Sequence, residues 1–280
     1  MATFGSFKCA EFSIGHSATS NPAEREFPMH IHDNFEILCF VSGNAEYMVE
    51  GKIYDLRAGN IMIMRSAETH KLIVNTNETY ERYIINFYPE ALISLGFPEI
   101  FFKPFTERNL GEKNLYLPLE FPYIQPEKLF KKMLAEAEFS NSKEAVLANL
   151  AALLSSINAA FEKKSQEKFI NEKRNVGDEI INYINENLFT DLSLTNISEL
   201  FHISPSQINR IFRKLTGTSV YNYIVSKRLI VVQERIAKGE NATSASQSCG
   251  FGDYSSFYRL YKKHFGTAPT NAKRKINFVG

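Results

Sequence analysis

An internal repeat in the last third of the chain constrains the fold more than any other feature. Residues 204–220, SPSQINRIFRKLTGTSV, align without gaps on residues 253–269, DYSSFYRLYKKHFGTAP, at an offset of 49 residues. The offset places Arg210 on Arg259 and Gly217 on Gly266. A gapless repeat of this kind predicts two copies of one structural unit.

Each copy predicts one amphipathic helix that ends at a glycine. In the first copy, Ser204 is placed to cap the helix and Pro205 suits its first turn. Apolar residues recur on one helix face, and polar or basic residues recur on the other. The residues predicted to face outward are Ser206, Asn209, Arg210 and Arg213 in the first copy, and Tyr254, Ser255, Tyr258, Arg259 and Lys262 in the second.

A second short helix is predicted before each copy, within residues 194–203 and 242–251. A helix, a tight turn and a second helix with a basic face form the helix-turn-helix unit that reads the major groove. For one copy alone a solvated surface helix is the alternative, but two gapless copies disfavour it. From residue 170 onward there are 15 Lys and Arg against 9 Asp and Glu, whereas the first 169 residues have 17 against 22. This charge asymmetry predicts double-stranded DNA as a partner.

Residues 176–275 resemble the DNA-binding domain of the arabinose-regulator (AraC/XylS) family of bacterial transcription factors. The resemblance rests on SPSQINRIFRKLTG, YNYIVSKRL and CGFGDYSSFYRLYKKHFGTAP, and on their spacing. It implies a rigid helix at about 218–238 between the two units. Its length of roughly 30 Å approaches the ~34 Å between successive major grooves. Ala245 and Ser246 replace the usual Ile-Ala pair, which implies a second unit that is packed less firmly and reads DNA less stringently.

The first part of the chain has a different texture. Residues 27 to about 90 alternate β-branched and aromatic residues with Gly and Asn turns, which is typical of strands. Five prolines predict an irregular connector over 97–126, and two helices are predicted at about 126–162. The apolar seam of the second helix suits pairing with a second subunit, and packing against the strands is the alternative. That seam comprises Leu147, Leu150, Leu154, Ile157 and Phe161.

The stretch HIHDNFE contains His30, His32 and Glu36 in the spacing H-x-H-x-x-x-E, and His70 follows further along. Together with Gly43, Gly59 and the intervening lengths, this spacing resembles both motifs of the cupin β-barrel. The resemblance places these four residues at the cupin metal-ligand positions. The second motif departs from the pattern, because Arg65 and Ala67 replace its usual Pro and Gly.

The sensor domains of sugar-responsive AraC-type regulators also resemble cupins and hold an effector in the barrel. That resemblance implies an effector site formed by His30, His32, Glu36, Arg65 and His70, with no metal required. A divalent metal (Zn²⁺, Fe²⁺, Ni²⁺ or Mn²⁺) held by His30, His32, Glu36 and His70 is one alternative. A purely structural cluster is the other.

These observations predict an α+β protein of two domains. Residues 1–168 are expected to form a cupin-like effector-binding and dimerisation domain, with a barrel at about 10–105 and helices at about 126–162. Residues 169–175 are the expected linker, and 176–280 the all-α double helix-turn-helix domain. A start without a signal pattern, the lack of a membrane-length apolar run and an odd number of cysteines favour a cytoplasmic location.

The predicted function is that of a homodimeric transcription regulator rather than an enzyme. The resemblance implies a sugar or sugar derivative as effector, and activation of carbohydrate-use genes with RNA polymerase as a partner. One alternative is a metal-dependent cupin enzyme fused to a DNA-binding module. Another is a regulator that needs no effector.

Overall fold

The structure is a computed structural model that describes residues 2–23, 26–74, 78–140, 142–166 and 176–271. Strands come first, two long helices follow, and the remainder is helical. This order matches the α+β class and the two parts predicted from the sequence. The predicted linker, 169–175, lies outside the described residues.

The strands of the first domain form two antiparallel sheets. The larger sheet has the order β1-β2-β8-β3-β6-β9, and the smaller has the order β5-β4-β7. The strands extend on both sides of the predicted 10–105 region. Their bounds are β1 Ala2–Lys8, β2 Phe12–Thr19, β3 Phe35–Ser42, β4 Ala45–Val49, β5 Lys52–Asp55, β6 Ile61–Met64, β7 His70–Val74, β8 Tyr80–Phe87 and β9 Leu115–Tyr116.

Alternate residues of the larger sheet face two different layers. On β3, Leu38 and Phe40 face the smaller sheet and share a buried apolar cluster with it. Ile37 and Cys39 face the opposite way, into a larger cluster shared with the long helices. Because successive side chains of a strand point to opposite faces, the near-continuous apolar run of β3 predicts a strand covered on both sides. The β-domain therefore has three layers, formed by the small sheet, the large sheet and the helices.

The helix layer covers the large sheet. Its helices are α1 Pro89–Ser94, α2 Lys103–Thr106, α3 Pro126–Ser140 and α4 Lys143–Gln166. The predicted seam of α4 packs inside the chain, because Leu150, Leu154 and Ile157 are fully buried against the sheet residues. The seam is thus covered within one chain and is not offered to a second subunit, which favours the alternative that the sequence left open.

Among the described residues, one helix is long and apolar enough to cross a membrane by length and composition alone. It is the Lys143–Ser165 stretch of α4, with a mean hydropathy of 1.4. The sequence had predicted no apolar run of membrane-spanning length. In this structure, the apolar residues of the stretch supply much of the helix layer against the sheet.

The second domain consists of helices with two separate cores. Helices α5 Val176–Glu186, α6 Leu194–Phe201 and α7 Pro205–Thr216 surround the first core, together with the start of α8 Val220–Ala237. Helices α9 Ala242–Ser248 and α10 Tyr254–Phe265 pack on the end of α8 around the second. The predicted connecting helix is α8.

The ends of the repeated helices follow the sequence signals. The Ser204 hydroxyl accepts a hydrogen bond from the Gln207 N–H of α7, and the Asp253 carboxylate accepts from two N–H groups of α10. Gly217 and Gly266 end the two helices with φ of 72° and 71°, the left-handed conformation that glycine adopts without strain. The sequence therefore predicted both helices, the Ser204 cap of the first and the glycine that ends each; the Asp253 cap of the second was not predicted.

A buried ion pair fixes the turn between β6 and β7. The Arg108 guanidinium donates to both Glu68 carboxylate oxygens, at 2.6 and 2.7 Å, and both side chains are fully buried. Glu68 also accepts from the backbone N–H of Arg65 and of Gly111 and from the Asn114 amide. Burial alone would raise the pKa of Glu68, but the Arg108 charge and these donors outweigh it and hold the pKa at about 2.

Arg108→Met should lower the free energy of unfolding by about 3–5 kcal/mol, because Glu68 would remain buried without its counter-charge. Denaturant unfolding followed by circular dichroism measures the change. The matched control is Lys103→Met, which removes a partly exposed pair with Glu107 and should change the free energy little.

Acid gives a second readout of the same pair. Because the folded pKa of Glu68 is depressed, its stabilisation is present above the unfolded value near 4.5 and is lost as the pH falls towards about 2. Wild type should therefore lose more stability than Arg108→Met between about pH 5 and pH 2. Equal losses would contradict the assigned role of the pair.

Candidate functional site

Three predicted histidines meet at one end of the β-domain. His30 and His70 form an isolated antiparallel bridge, with the backbone N–H of each donating to the carbonyl of the other at 3.0 Å. The imidazole centroids of His30 and His32 lie 4.1 and 4.8 Å from that of His70. The bridge explains the convergence, because it places the start of β7 beside a segment that carries two histidines two residues apart.

Backbone carbonyls set the tautomer of all three imidazoles. The Nδ1 atoms of His30, His32 and His70 lie 3.1, 2.9 and 2.8 Å from the carbonyl oxygens of Pro28, Asn34 and Glu68, respectively. A carbonyl oxygen only accepts, so each Nδ1 carries the proton and each neutral ring has its lone pair on Nε2.

The three Nε2 atoms are therefore the ring nitrogens of the cluster that have a lone pair to offer a ligand. Within the described part of the chain, the Nε2 atoms of His32 and His70 are buried and have no hydrogen-bond partner. Burial lowers the pKa of His30 and lowers that of His70 further, to well below its usual value. Both rings are thus neutral near pH 7, with a free lone pair.

Glu36 and Tyr47 extend the cluster into the space between the sheets. Glu36 is buried, and its Oε2 lies 3.4 Å from His32 Nε2, close enough for an ion pair but not directed as a hydrogen bond. The Tyr47 hydroxyl donates to Glu36 Oε1 at 3.4 Å, and its ring stacks on His70. The sequence did not identify Tyr47, although its position on β4 faces the space between the two sheets.

Arg82 is a second missed residue of this interior. It is buried on β8 between Tyr80 and Ile84, both of which belong to the cluster between the sheets. Its guanidinium lies 4.7 Å from the centre of the Tyr80 ring. The available signal was strand alternation, since a charged residue at an inward position is unusual.

The structure places Arg65 differently from the other four predicted effector residues. Its guanidinium donates to the Thr106 carbonyl oxygen at 3.3 Å, and its backbone N–H donates to Glu68. Met64, the residue before it, faces the space between the sheets. His30, His32, Glu36 and His70 therefore come together, while the Arg65 side chain extends towards the helix layer.

The β-domain and the helical domain meet through a buried carboxylate that the sequence did not identify. Glu50, in the turn between β4 and β5, accepts from the Lys227 ammonium of α8 at 2.8 Å, and both side chains are 1% exposed. The same Glu50 oxygen accepts from the Thr69 N–H at 2.6 Å and the Thr69 hydroxyl at 3.0 Å. Its other oxygen accepts from the Asn185 amide at 3.1 Å and from the Tyr223 hydroxyl.

Charge and packing at this contact reinforce each other. Burial lowers the pKa of Lys227, and the Glu50 carboxylate opposes that shift. Gly51 has a φ of +83°, and a Cβ atom there would lie 2.9 Å from Ile181 Cδ1 of α5. The turn therefore fits closely against the helical domain only because its second residue has no side chain. A further contact joins the Ser66 hydroxyl to the Glu234 carboxylate of α8.

The first predicted reading helix, α7, presents most of its polar face to solvent. Ser206, Arg210 and Arg213 are exposed there. Asn209 is half-buried, and its side-chain oxygen accepts from the Val220 N–H at 3.4 Å, so it also holds the start of α8. Two exposed arginines one turn apart can address a base edge and a phosphate.

The second reading helix, α10, presents the equivalent face. Tyr254, Ser255, Arg259 and Lys262 are exposed, and Tyr258 is half-buried. The Arg259 guanidinium donates to the Ser256 hydroxyl at 3.2 Å. In the preceding helix, Ala245 and Ser246, which replace the usual Ile-Ala pair of the family, are both buried.

One arginine of α8 orients the two units relative to each other. The Arg228 guanidinium donates at 2.8 Å to the carbonyl oxygens of Leu188 and Thr190 on one side and of Gly250 on the other. Gly250 has a φ of +83°, and a Cβ atom there would lie 2.8 Å from the guanidinium carbon. The spacing of the two reading helices thus depends on α8 and on this three-carbonyl contact.

These features define a class of protein: a regulator that joins a β-rich ligand-binding domain to a helical domain with two helix-turn-helix units. Two family models match the chain. The AraC-like ligand binding domain covers residues 16–109, and a helix-turn-helix domain covers residues 197–275. The chain belongs to the AraC family of transcription regulators.

Full-length relatives agree with this assignment. The transcriptional activator RhaR of Mannheimia succiniciproducens is 22% identical over 251 residues, covering 89% of this chain and 88% of that protein. The activator RhaS of an Enterobacter species is 19% identical over 268 residues, covering 94% of each. ToxT from Vibrio cholerae is a similar solved structure, with 15% identity, a TM-score of 0.42 and coverage of 93% of this chain and 97% of that one. The chain is a DNA-binding regulator and not an enzyme.

Arg210→Ala should weaken binding to a DNA site selected from random sequences by about 1–3 kcal/mol and relax base preference in one groove, because it removes a bidentate donor to guanine. Lys262→Ala should instead weaken binding to all sequences alike and lower the salt dependence by about one unit. Affinities for base-by-base variants of the site, at two salt concentrations, measure both effects. The same sequence-independent loss in both variants would remove Arg210 from base reading.

Proposed function

We propose that a small, oxygen-rich effector, a sugar or sugar derivative, controls this regulator from the histidine end of the β-domain. The buried Glu36 carboxylate, the Tyr47 hydroxyl and the imidazoles supply both acceptors and donors, which suits hydroxyl groups. Two relatives are named transcriptional activators, which supports activation as the mode of action. The proposed targets are carbohydrate-use genes, and the proposed partner in activation is RNA polymerase. Its place of action is the cytoplasm.

The observation that carries the proposal is the path from His70 to the DNA-binding domain. Thr69, the residue before His70, donates two hydrogen bonds to Glu50, and Glu50 pairs with Lys227 of α8. A ligand that shifts the backbone at His70 also shifts Thr69, since the two are covalent neighbours. It thereby changes the donors around a buried carboxylate, and so the relative free energy of the two domain arrangements.

A groove on the other side of the β-domain is a second position for the effector. It has a volume of about 410 Å³ and lies between β1, β2 and α3. Phe4, His16 and Tyr83 line it, and the His16 and Tyr83 rings stack 4.1 Å apart. Sugars bind such aromatic faces, but within the described contacts the path to α8 starts at the histidine end.

We also propose that the regulator acts as a homodimer. Because the α4 seam is covered by the sheet, the two chains would associate through another surface, and sedimentation of the full chain tests this.

Tyr47→Phe should weaken effector binding about tenfold, because it removes one buried hydroxyl and leaves the ring in place. Thermal-shift screening against monosaccharides, polyols and sugar acids identifies the effector, and titration gives the affinity. Tyr54→Phe is the matched control, since Tyr54 pairs with Tyr47 across the sheet but donates to Gly111. Arg65→Ala tests in the same assay whether that guanidinium reaches the effector. If Tyr83→Phe abolished effector binding and Tyr47→Phe left it unchanged, the effector would bind in the groove rather than at the histidine end.

Lys227→Met should destabilise the contact between the domains by about 3–5 kcal/mol, because Glu50 would stay buried without its counter-charge. Hydrogen exchange in the turn between β4 and β5 should then increase, and the effector should no longer change DNA affinity. Adding Glu50→Gln to Lys227→Met should restore part of the lost stability of the contact between the domains, because the buried charge is then removed as well. The matched control is Lys238→Met, because its pair with Glu90 also joins the domains but is exposed. Unchanged effector response in Lys227→Met would refute this route.

A further inference from the structure

We infer that His30, His32 and His70, with Glu36 as a fourth donor, form a binding site for a divalent transition metal of the Zn²⁺ type. The three histidines each offer a ring nitrogen, and these atoms all lie within 4.8 Å of one another. The His30–His70 bridge already joins the two chain segments that carry the three histidines, so the fold itself brings these residues together.

The tautomers favour a cation over a purely structural cluster. Hydrogen bonds to three backbone carbonyls fix the proton of each ring on Nδ1, which leaves the Nε2 lone pair of each ring available to a metal ion. Metal-binding histidines share this arrangement, in which the second ring nitrogen donates to a carbonyl or carboxylate. In a structural cluster, the buried Nε2 atoms of His32 and His70 would remain without a partner, which is unfavourable for a buried polar group.

The position of Glu36 supports the same conclusion. Its Oε2 lies 3.4 Å from His32 Nε2, the nitrogen that carries the lone pair when Nδ1 holds the proton. Two electron-rich groups at this distance repel unless a positive charge lies between them. A metal ion would supply that charge and would also be bound by the Nε2 atoms of His30 and His70.

The distances require an adjustment of the cluster. Tetrahedral Zn–N bonds of about 2.1 Å would place two nitrogens roughly 3.4 Å apart, so the widest separation, up to 4.8 Å, must shrink by up to about 1.4 Å. The segment that carries His30 and His32 lies outside the regular strands and is half-buried, whereas His70 is fully buried at the start of β7. The movement therefore falls on the side of the cluster that is free to shift.

The donor set also selects the metal. Three imidazoles favour Zn²⁺, Ni²⁺ or Fe²⁺, whereas Ca²⁺ and Mg²⁺ prefer oxygen donors. If the proposed function holds, an oxygen of the effector would approach this ion, and the metal would explain how a sugar displaces His70. Metal binding itself does not depend on that role.

The test measures metal binding to the full chain directly. Apo protein prepared with a chelator and titrated with Zn²⁺ by calorimetry should bind one ion per chain, and with Ca²⁺ none. Co²⁺ should give the visible absorption of a nitrogen-bound ion. His32→Gln and Glu36→Gln should each weaken Zn²⁺ binding, with His32→Gln reducing affinity at least about 100-fold, since even outer partners contribute 10–100-fold.

His16→Gln is the matched control, because His16 also contacts a carboxylate, Glu81 at 2.7 Å, but lies outside the cluster. It should bind Zn²⁺ as wild type does. Circular dichroism and thermal unfolding of every apo variant confirm that the fold is kept, and His30→Gln, at a half-buried position, replaces any variant that unfolds.

The outcomes separate this inference from the proposed function. Equal Zn²⁺ affinity in wild type, His32→Gln and Glu36→Gln would overturn the metal site and leave a purely structural cluster. Effector binding that persists in chelator-treated protein would leave the proposed function intact without a metal. One bound Zn²⁺ in a protein that responds to no sugar would support the site and refute the sugar effector.

Discussion

The buried Glu50 carboxylate determines how the two domains of this chain are arranged. A carboxylate removed from water must be compensated by charge and hydrogen bonds. Thr69 donates to Glu50 within the β-domain, but the counter-charge, Lys227, reaches Glu50 only when the domains are in contact. Thr69 belongs to the sensor, whereas Lys227 and Tyr223 belong to α8. If the domains separated, Glu50 and Lys227 would lose their ion pair and would have to be solvated by water instead. The contact is therefore specific in geometry, and its strength depends on the donors around one carboxylate.

Three consecutive residues connect this contact to the rest of the sensor. Glu68 is held by Arg108 in the core of the β-domain, Thr69 donates to Glu50, and His70 forms the bridge with His30. The turn that carries them thus links a rigid anchor, the domain contact and the histidine cluster. Because Arg108 holds Glu68 in place, a backbone displacement at His70 would move Thr69 rather than Glu68. Short coupling of this kind needs no long chain of intermediate contacts.

The DNA-binding domain was more predictable than the sensor for a physical reason. Its helices depend on local signals, such as the Ser204 cap and the glycines that end each helix, and these are legible in the sequence. In the sensor, strand alternation predicted the layers, and motif spacing predicted that His30, His32 and His70 would converge. It did not predict the Arg65 side chain, which turns towards Thr106, because side-chain direction beyond a strand end depends on its neighbours.

By itself, the sequence determined the family, the two reading helices, the strand-rich sensor and the histidine set, since each is encoded in spacing and periodicity. Tertiary structure alone decided that the α4 seam covers the sheet, that Tyr47 and Arg82 join the interior, and that Glu50 meets Lys227. Glu50 and Lys227 are 177 residues apart, and each alone reads as an ordinary surface charge. Only folding brings them together out of water, where their pairing becomes a requirement.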